Sequence, residues 1–216
     1  MSITYGALWY KDQNLFTKSK NMNHKILMLN IHNICKNRKE DFLQHFFTNY
    51  EEDLPPSWMI MECLSFGTVS YIYKNLRTMR DKKMISKTLG FPPTILESWI
   101  ESLVFTRNIC AHHARLWNRW FLFRPKLQNN SSPLRAESAH TIYEQIQIIS
   151  LLTKSTHTLW LKELYQLMKK YPTVSKMKMG FTSDWQKDPV WGLKSVTYSQ
   201  DNVKMKATQQ EILHLV

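Results

Sequence analysis

Apolar residues recur every three or four positions in one segment of the chain after another, and this spacing predicts helices. The clearest row is Leu96, Ile100 and Leu103, which follows Pro92 and Pro93, two residues suited to the first positions of a helix. The chain has only five glycines among 216 residues, too few for the many tight turns of a strand-rich protein. We therefore predict an all-α fold.

Start and stop signals bound several of the predicted helices. Asn23 and Ser57 are typical N-caps, Asp81 suits a helix start, and Gly90 suits the left-handed position after a helix. We expect Gly67 to mark a close crossing of two helices. The predicted helices are His24 to Lys36, Glu40 to Tyr50, Trp58 to Leu76, Lys82 to Leu89, Thr94 to Phe105 with its extension, Glu137 to Thr153, and Thr158 to Lys170.

The domain organisation predicted from these patterns is a single helical domain at residues 23–191. It lies between an irregular aromatic lead at 1–22, which should pack through its rings, and a weakly structured tail at 192–216. Residues 129–133 have the composition of a loop. The stretch from Met177 to Trp191 should be an irregular segment that docks through Met179, Phe181, Trp185 and Trp191.

The charge of the chain favours a polyanionic partner. Twenty-nine lysines and arginines against 17 aspartates and glutamates give a net charge of +12 at pH 7. Nucleic acid fits this excess, and a membrane surface is the alternative. Between Glu101 and Lys126, five basic residues stand against one glutamate, so the excess is concentrated in one part of the chain.

Cysteine usage and the absence of leader and membrane patterns restrict the class of protein further. Cys35, Cys63 and Cys110 are odd in number and widely separated, which indicates neither a disulfide framework nor a structural zinc site. The sequence shows no basic leader before an apolar run, and no apolar run approaches the ~20 residues that span a bilayer. We expect a cytoplasmic protein with no membrane segment, metal or other cofactor.

The stretch from Thr106 to Arg119, which reads T-R-N-I-C-A-H-H-A-R-L-W-N-R, is the richest in chemically capable side chains. If the helix continues through it, Asn108, His112, Arg115 and Arg119 lie on one face. Imidazole exchanges protons near neutral pH, and guanidinium fits phosphate with two parallel hydrogen bonds. These residues predict an anion site capable of acid and base chemistry, with a solvated helix face as the alternative.

Aromatic and basic residues follow this stretch. Phe121, Phe123, Arg124 and Lys126 are suited to stacking on unpaired bases and to phosphate contacts. The alternative is that the phenylalanines anchor the segment to the core.

The phrase R-N-I-C-A-H-H-A-R-L-W-N-R resembles the signature of the AbiD/AbiF-type abortive-infection family, bacterial anti-phage proteins of the HEPN fold. Arg107 and His112 within it match the R-x(4)-H motif of HEPN ribonucleases. The resemblance runs from about Tyr5 to Trp191. Its companion phrases are Leu54 to Trp58, Glu62 with Leu64 to Thr68, Asp81 to Lys83 with Ile85, and Met179 to Phe181 followed by Trp185 and Trp191.

This resemblance implies a HEPN-like helical bundle and a metal-independent endoribonuclease with a toxin-like role in phage defence. His112 would exchange a proton with the 2′-hydroxyl or the leaving 5′-oxygen of RNA. Arg107 would neutralise charge on the phosphate, and Asn108 would orient the site. The residues expected to contact RNA are His113, Arg115, Arg119, Arg124 and Lys126.

The geometry of the motif bears on assembly. On an ideal helix Arg107 and His112 diverge by roughly 140°, so they converge only through side-chain length, a local distortion or a second copy of the chain. The resemblance implies the third arrangement, a homodimer with a composite site. It also implies a small noncoding RNA that restrains the activity.

The resemblance leaves alternatives for both the chain and its function. Family members usually carry a helical segment upstream of the phrase Tyr5 to Tyr10, so we expect a short member, a product of a split gene or a shortened chain. A non-catalytic RNA-binding or protein-interaction module and a metal-dependent enzyme are the alternatives to a metal-independent ribonuclease.

Overall fold

The computed structural model describes residues 1–18, 23–37, 39–127, 134, 138–153 and 157–191. Most of these residues are helical, and none of them forms a β-strand longer than an isolated bridge between Phe16 and Leu76. The predicted all-α class is confirmed. The chain divides into two compact units, unit 1 at Met1–Val104 and unit 2 at Phe105–Val216. The predicted loop at 129–133 and tail at 192–216 lie outside the described residues.

Unit 1 is built from helices whose boundaries mostly follow local signals. Asn23 Oδ1 accepts a hydrogen bond from the Ile26 N–H at 3.0 Å, which confirms the predicted cap. Gly90 has φ 79 and ends its helix in the left-handed conformation, as predicted. The helices are α1 at Ser2–Tyr5, α2 at His24–Asn37, α3 at Asp41–Asn49, α4 at Ser57–Cys63, α5 at Phe66–Lys74 and α6 at Met79–Leu89; α7, at Pro93–Ala111, begins in unit 1 and ends in unit 2.

The prediction of a single helix from Trp58 to Leu76 is wrong. Leu64 has ψ 146, an extended conformation that ends α4, and Ser65 Oγ then accepts from the Thr68 N–H at 3.1 Å to begin α5. Ser57 is itself helical and buried, so it does not cap. A Cβ on Gly67 would lie 3.7 Å from Val104 Cγ1, an ordinary contact, so no close crossing requires this glycine.

The start of α6 also differs from the prediction. Thr78 is the N-cap, and its Oγ1 accepts from the Asp81 N–H at 3.1 Å, while Asp81 lies in the first turn. The Asp81 carboxylate instead accepts from the Tyr5 hydroxyl at 3.0 Å. A threonine cap and an acidic first turn both stabilise the positive end of the helix.

The aromatic lead packs through its rings, as predicted. Trp9, Tyr10 and Phe16 are buried, the rings of Trp9 and Phe16 stack at 6.1 Å, and the Tyr10 hydroxyl donates to the Pro55 carbonyl at 2.6 Å. The lead is not wholly irregular, because α1 is followed by 3-10 turns at Trp9–Lys11 and Gln13–Leu15.

Unit 2 contains the end of α7, α8 at Ile142–Leu152, α9 at His157–Lys170, and 3-10 turns at Met177–Met179, Trp185–Lys187 and Pro189–Trp191. The segment from Met177 to Trp191 docks on α8, as predicted. Its Asp188 carboxylate is fully buried and accepts from the Tyr143 hydroxyl at 3.0 Å and from Gln147 Nε2 at 2.9 Å. Phe181, Trp185 and Trp191 join Tyr143 in the core.

The start of α8 is later than the Glu137 predicted from the apolar row, and Glu137 itself lies outside the described residues. His140 has φ 61, a left-handed conformation that a helix does not contain, and Thr141 is the N-cap. The same turn contacts the docking segment closely: Gly180 has φ 88, and a Cβ at this position would overlap the Thr141 side chain. Ser138 Oγ also donates to the Gly180 carbonyl at 3.0 Å.

A bilayer-spanning helix is absent from the described ranges, because none of their helices is both long enough and apolar enough to cross a membrane.

Candidate functional site

The candidate site lies where α7 ends in unit 2. Two hydrogen bonds close the helix there: the His113 N–H donates to the Cys110 carbonyl and the Ala114 N–H to the Ile109 carbonyl, each at 3.0 Å. His113 has φ 51, the left-handed conformation that this type of helix end needs. Glycine usually occupies such a position, and histidine is among the residues that tolerate it. The chain therefore leaves the helix at its two adjacent histidines.

The prediction that four polar side chains share one helix face is wrong beyond His112. A stripe through Asn108, His112, Arg115 and Arg119 requires a helix as far as Arg119, and the left-handed residue at 113 ends it first. Asn108 and His112 remain related by the helix, since the His112 N–H donates to the Asn108 carbonyl at 3.0 Å. Arg115 and Arg119 belong to the irregular segment that follows, where Arg119 Nη1 donates to the Arg115 carbonyl at 3.4 Å.

One face of this part of α7 is fixed in the core of unit 2. Thr106 and Ile109 are buried. Thr106 Oγ1 donates to Gln145 Oε1 at 3.2 Å, and Ile109 packs with Phe121 and Ile142. Because this face is held by packing and a buried hydrogen bond, the opposite face has a defined orientation.

The three predicted catalytic residues, Arg107, Asn108 and His112, are exposed. Arg107 Nη1 donates to Asn108 Oδ1 at 3.2 Å, so the amide oxygen positions the guanidinium. Within the part of the chain that the structure describes, no carboxylate forms an ion pair with Arg107. Among the same residues, no hydrogen bond joins Arg107 to His112, and none involves the imidazole of His112 or of His113. The charged and proton-exchanging groups at this end of α7 are accessible to an anionic ligand.

The predicted RNA-binding residues differ in their surroundings. His113, Arg115 and Lys126 are exposed, and Arg119 is half-buried. The Arg115 guanidinium carbon lies 6.0 Å from the centroid of the half-buried Trp117 ring, a cation–π arrangement that holds the arginine against the surface. These residues add positive charge on the segment that leaves α7.

A second group of residues, which we call the clasp, consists of Trp120, Phe121, Arg124, His140 and Glu144. The Phe121 N–H donates to the His140 carbonyl at 2.8 Å. His140 Nδ1 lies 2.7 Å from the Phe121 carbonyl oxygen, which only accepts, so this nitrogen carries a proton and donates. The His140 N–H donates to Glu144 Oε2 at 3.0 Å. These bonds join the segment after α7 to the start of α8.

Glu144 is a fully buried carboxylate within the clasp. Burial raises its pKa above the usual range for glutamate, while the His140 N–H and the Arg124 guanidinium oppose that rise. Arg124 Nε lies 3.8 Å from Glu144 Oε1. Arg124, predicted to contact RNA, is therefore partly engaged by a buried charge of the protein.

The structure separates the two phenylalanines that follow Arg119. Phe121 is fully buried, and its ring packs edge-on against Phe105 at 6.1 Å, which confirms the anchoring alternative for this residue. Phe123 is exposed. Phe121 is directed inward because its backbone is bonded in both directions to His140.

Sequence reasoning missed Trp120, His140 and Glu144. His140 lies 19 positions after its partner Phe121, and no local pattern predicts such a pair. A local signal was the phrase from Thr141 to Glu144, a threonine followed three positions later by a glutamate, which is the pattern of a capping box. The Glu144 carboxylate in fact accepts from the N–H of His140, one residue before the cap.

An apolar cavity described in unit 2 is not suited to polar chemistry. It has a volume of about 420 Å³, and its walls are mainly apolar, including Leu116, Ile146, Leu164, Met168 and Phe181. Transfer of a proton to or from a phosphate ester needs charged or hydrogen-bonding groups. The end of α7, rather than the cavity, carries such groups.

Metal-ligating residues do not gather in threes anywhere in the described ranges. Cys110 is exposed near the end of α7, Cys63 is partly buried and Cys35 is buried, and no disulfide joins any two of these three residues.

The fold and site define an all-α protein with a basic, histidine-bearing helix end. A family model described as Abi-like protein matches residues 1–118, more than half of the chain, and includes Arg107, Asn108 and His112. The chain belongs to this Abi-like family, and the membership supports a role in abortive infection. The match ends before Arg119. No curated protein and no solved structure matched the chain.

Proposed function

We propose that this protein is a metal-independent endoribonuclease of the HEPN type that acts as a toxin in abortive infection. The observation that carries the proposal is the exposed group of Arg107, Asn108 and His112 at the end of α7, on a helix whose other face is buried. The family membership and the resemblance of this stretch to the R-x(4)-H motif support the same reaction.

The proposed chemistry is cleavage by the neighbouring 2′-oxygen of RNA. His112 accepts the 2′-hydroxyl proton, the 2′-oxygen attacks phosphorus, and the bond from phosphorus to the 5′-oxygen breaks. The leaving oxygen takes a proton from the imidazolium or from water, so the products are a 2′,3′-cyclic phosphate and a 5′-hydroxyl. Arg107 stabilises the charge that develops on the phosphate, and Asn108 positions Arg107 through the 3.2 Å hydrogen bond. General acid–base catalysis by one histidine contributes roughly 10²- to 10⁴-fold in rate.

The test is RNA cleavage in EDTA by wild-type protein, Arg107→Ala and His112→Ala. Arg80→Ala and His45→Ala are matched controls, because both side chains are exposed on helices of unit 1. We expect each site variant to lose at least about 100-fold in rate and each control to cleave like wild type. Cleavage that persists in a site variant would overturn the assignment of that residue.

The same experiment separates the alternative functions. RNA bound but not cut by the wild type would favour a non-catalytic binding module. Cleavage that EDTA abolishes would favour a metal-dependent enzyme.

The proposal includes a homodimer in which Arg107 of one copy and His112 of the other act on one phosphate. Mixing Arg107→Ala with His112→Ala tests this pairing directly. In a mixed dimer one of the two sites has both residues intact, so random exchange of subunits restores about a quarter of the wild-type activity. No recovery after confirmed exchange would place both residues in one copy.

The resemblance also suggests a small noncoding RNA as the inhibitor. We propose that it restrains cleavage by occupying the basic segment after α7. Small RNA isolated from the producing cells together with the protein, added back to RNA-free protein, should then inhibit cleavage, and cleavage unchanged by that RNA would exclude this restraint.

A further inference from the structure

The clasp presents one large aromatic ring to solvent. Trp120 is 65% exposed although it lies next to the fully buried Phe121. Its ring stacks on the His140 ring with centroids 4.3 Å apart and planes 10° apart. One face of the indole is therefore covered by a parallel ring, and the side chain remains largely open to a ligand.

The ring that backs Trp120 is held firmly. His140 is fixed by its Nδ1 hydrogen bond to the Phe121 carbonyl at 2.7 Å and by its own N–H bond to Glu144 at 3.0 Å. Phe121 anchors the next position of the chain in the core. The orientation of the indole is thus set before any ligand binds, so little conformational entropy remains to be lost on binding.

The segment that carries the ring is basic. Arg115, Arg119, Arg124 and Lys126 belong to the same segment, and no aspartate or glutamate occurs between residues 102 and 136. Arg124 keeps about 40% of its side chain exposed beside Glu144. A preoriented aromatic face with cations on its segment matches a nucleotide whose base is unpaired, since the base stacks and its phosphates meet the cations.

We propose that Trp120 binds an unpaired base of RNA, with His140 as its supporting ring. The inference rests on the proposed function in taking RNA as the ligand, and it adds that the bound nucleotides are single-stranded. A base-paired strand offers no free base face in its interior, so the same residue discriminates against duplex RNA. Trp120 contributes to binding and substrate selection and takes no part in proton transfer.

The experiment measures binding without cleavage, so its outcome is independent of catalysis. Short 2′-O-methyl oligonucleotides lack the 2′-hydroxyl that attacks phosphorus. They are titrated into the full chain, first single-stranded and then annealed to their complement. The variants are Trp120→Ala and Trp120→Phe, and Trp58→Ala is the control, because Trp58 is similarly exposed, at 58%, on α4.

We expect Trp120→Ala to weaken single-strand binding roughly 5- to 150-fold, the range for the loss of one stacked base. Trp120→Phe should retain most of the affinity, and Trp58→Ala should bind like wild type. Duplex binding and the salt dependence of single-strand binding should not change in Trp120→Ala, because the phosphate contacts remain.

Two results would overturn the inference. Single-strand binding by Trp120→Ala equal to that of the wild type would exclude stacking. An equal loss for single strand and duplex would indicate a general disturbance of the surface or a contact made by the indole to the backbone. If the wild type binds single strands through Trp120 but cuts no RNA, the binding site stands and the ribonuclease proposal fails.

Discussion

Two regions of unit 2 use the same residue types in opposite ways. At the end of α7, Arg107 and His112 are exposed, and no described carboxylate neutralises the arginine. In the clasp, His140 donates through its ring and its backbone, and Arg124 lies beside a buried glutamate. The accessibility of a polar group, and not its identity, therefore separates a candidate reactive residue from a structural one.

His112 and His140 should differ most in what their replacement changes, the rate of cleavage or the stability of the fold. His112→Ala should lower the rate of RNA cleavage roughly 10²- to 10⁴-fold and leave the free energy of unfolding almost unchanged, since the imidazole is exposed. His140→Ala should instead lower the free energy of unfolding by about 1–3 kcal/mol, because the carbonyl of the buried Phe121 loses the hydrogen bond that the ring Nδ1 donates. Cleavage rates at saturating RNA and urea denaturation measure the two effects. A larger loss of stability in His112→Ala than in His140→Ala would contradict the exposed position of His112 and the hydrogen-bonded position of His140.

The two phenylalanines that follow Arg119 provide a second comparison between a buried and an exposed side chain. Phe121→Ala should reduce the free energy of unfolding by about 3–5 kcal/mol, because a fully buried ring leaves a cavity. Phe123→Ala should change it by less than about 0.5 kcal/mol, since that ring is exposed. Denaturant unfolding of both variants measures the difference, and equal losses would contradict the assigned burial.

The pH dependence of stability tests the buried carboxylate. Because burial raises the pKa of Glu144 in the folded state, its contribution to stability is present below the unfolded pKa and is lost as pH rises through the folded pKa. Glu144→Gln does not ionise, so its stability relative to wild type should increase as pH rises through that folded pKa. Urea denaturation over this pH range measures the trend. Glu163 on α9 is exposed, so Glu163→Gln is the control and should show no such trend. If the difference in stability between Glu144→Gln and the wild type does not change with pH, Arg124 and the His140 N–H fully offset the effect of burial on the Glu144 pKa.

The smallest expected effect concerns the left-handed residue that ends α7. His113→Gly should raise the free energy of unfolding by up to about 1 kcal/mol, because glycine adopts positive φ without steric cost. Ala111→Gly, two positions earlier in the last helical turn, should lower it by about 1 kcal/mol. Thermal unfolding of the pair checks the opposite signs, and destabilisation by both would contradict the helix end described at His113.

The parts of the fold that the sequence predicted correctly have local causes. Asn23 caps α2, Gly90 ends α6 and Pro93 begins α7, each through chemistry within one turn of the chain. The break at Leu64 and the helix end at His113 were missed because neither position carries the glycine or proline that usually marks a stop. Apolar periodicity continues past Leu64 and concealed the local cap signal of Ser65. The polar spacing from Asn108 to Arg119 likewise concealed the helix end at His113.

The candidate site was predictable in part for the same reason. Arg107, Asn108 and His112 form a compact phrase in the sequence, so they were named from it. Trp120 was missed because its significance depends on His140, which the fold brings against it from another segment. The roles proposed for all of these residues stay predictions until cleavage and binding are measured.

Gly180 has a consequence for recognising relatives of this chain. Its backbone approaches Thr141 so closely that even a methyl group would collide, and its positive φ disfavours every other residue. A larger residue at position 180 therefore requires the turn before α8 to be remodelled as well. A homologue that replaces Gly180 without a compensating change near Thr141 should carry a differently arranged C-terminal segment.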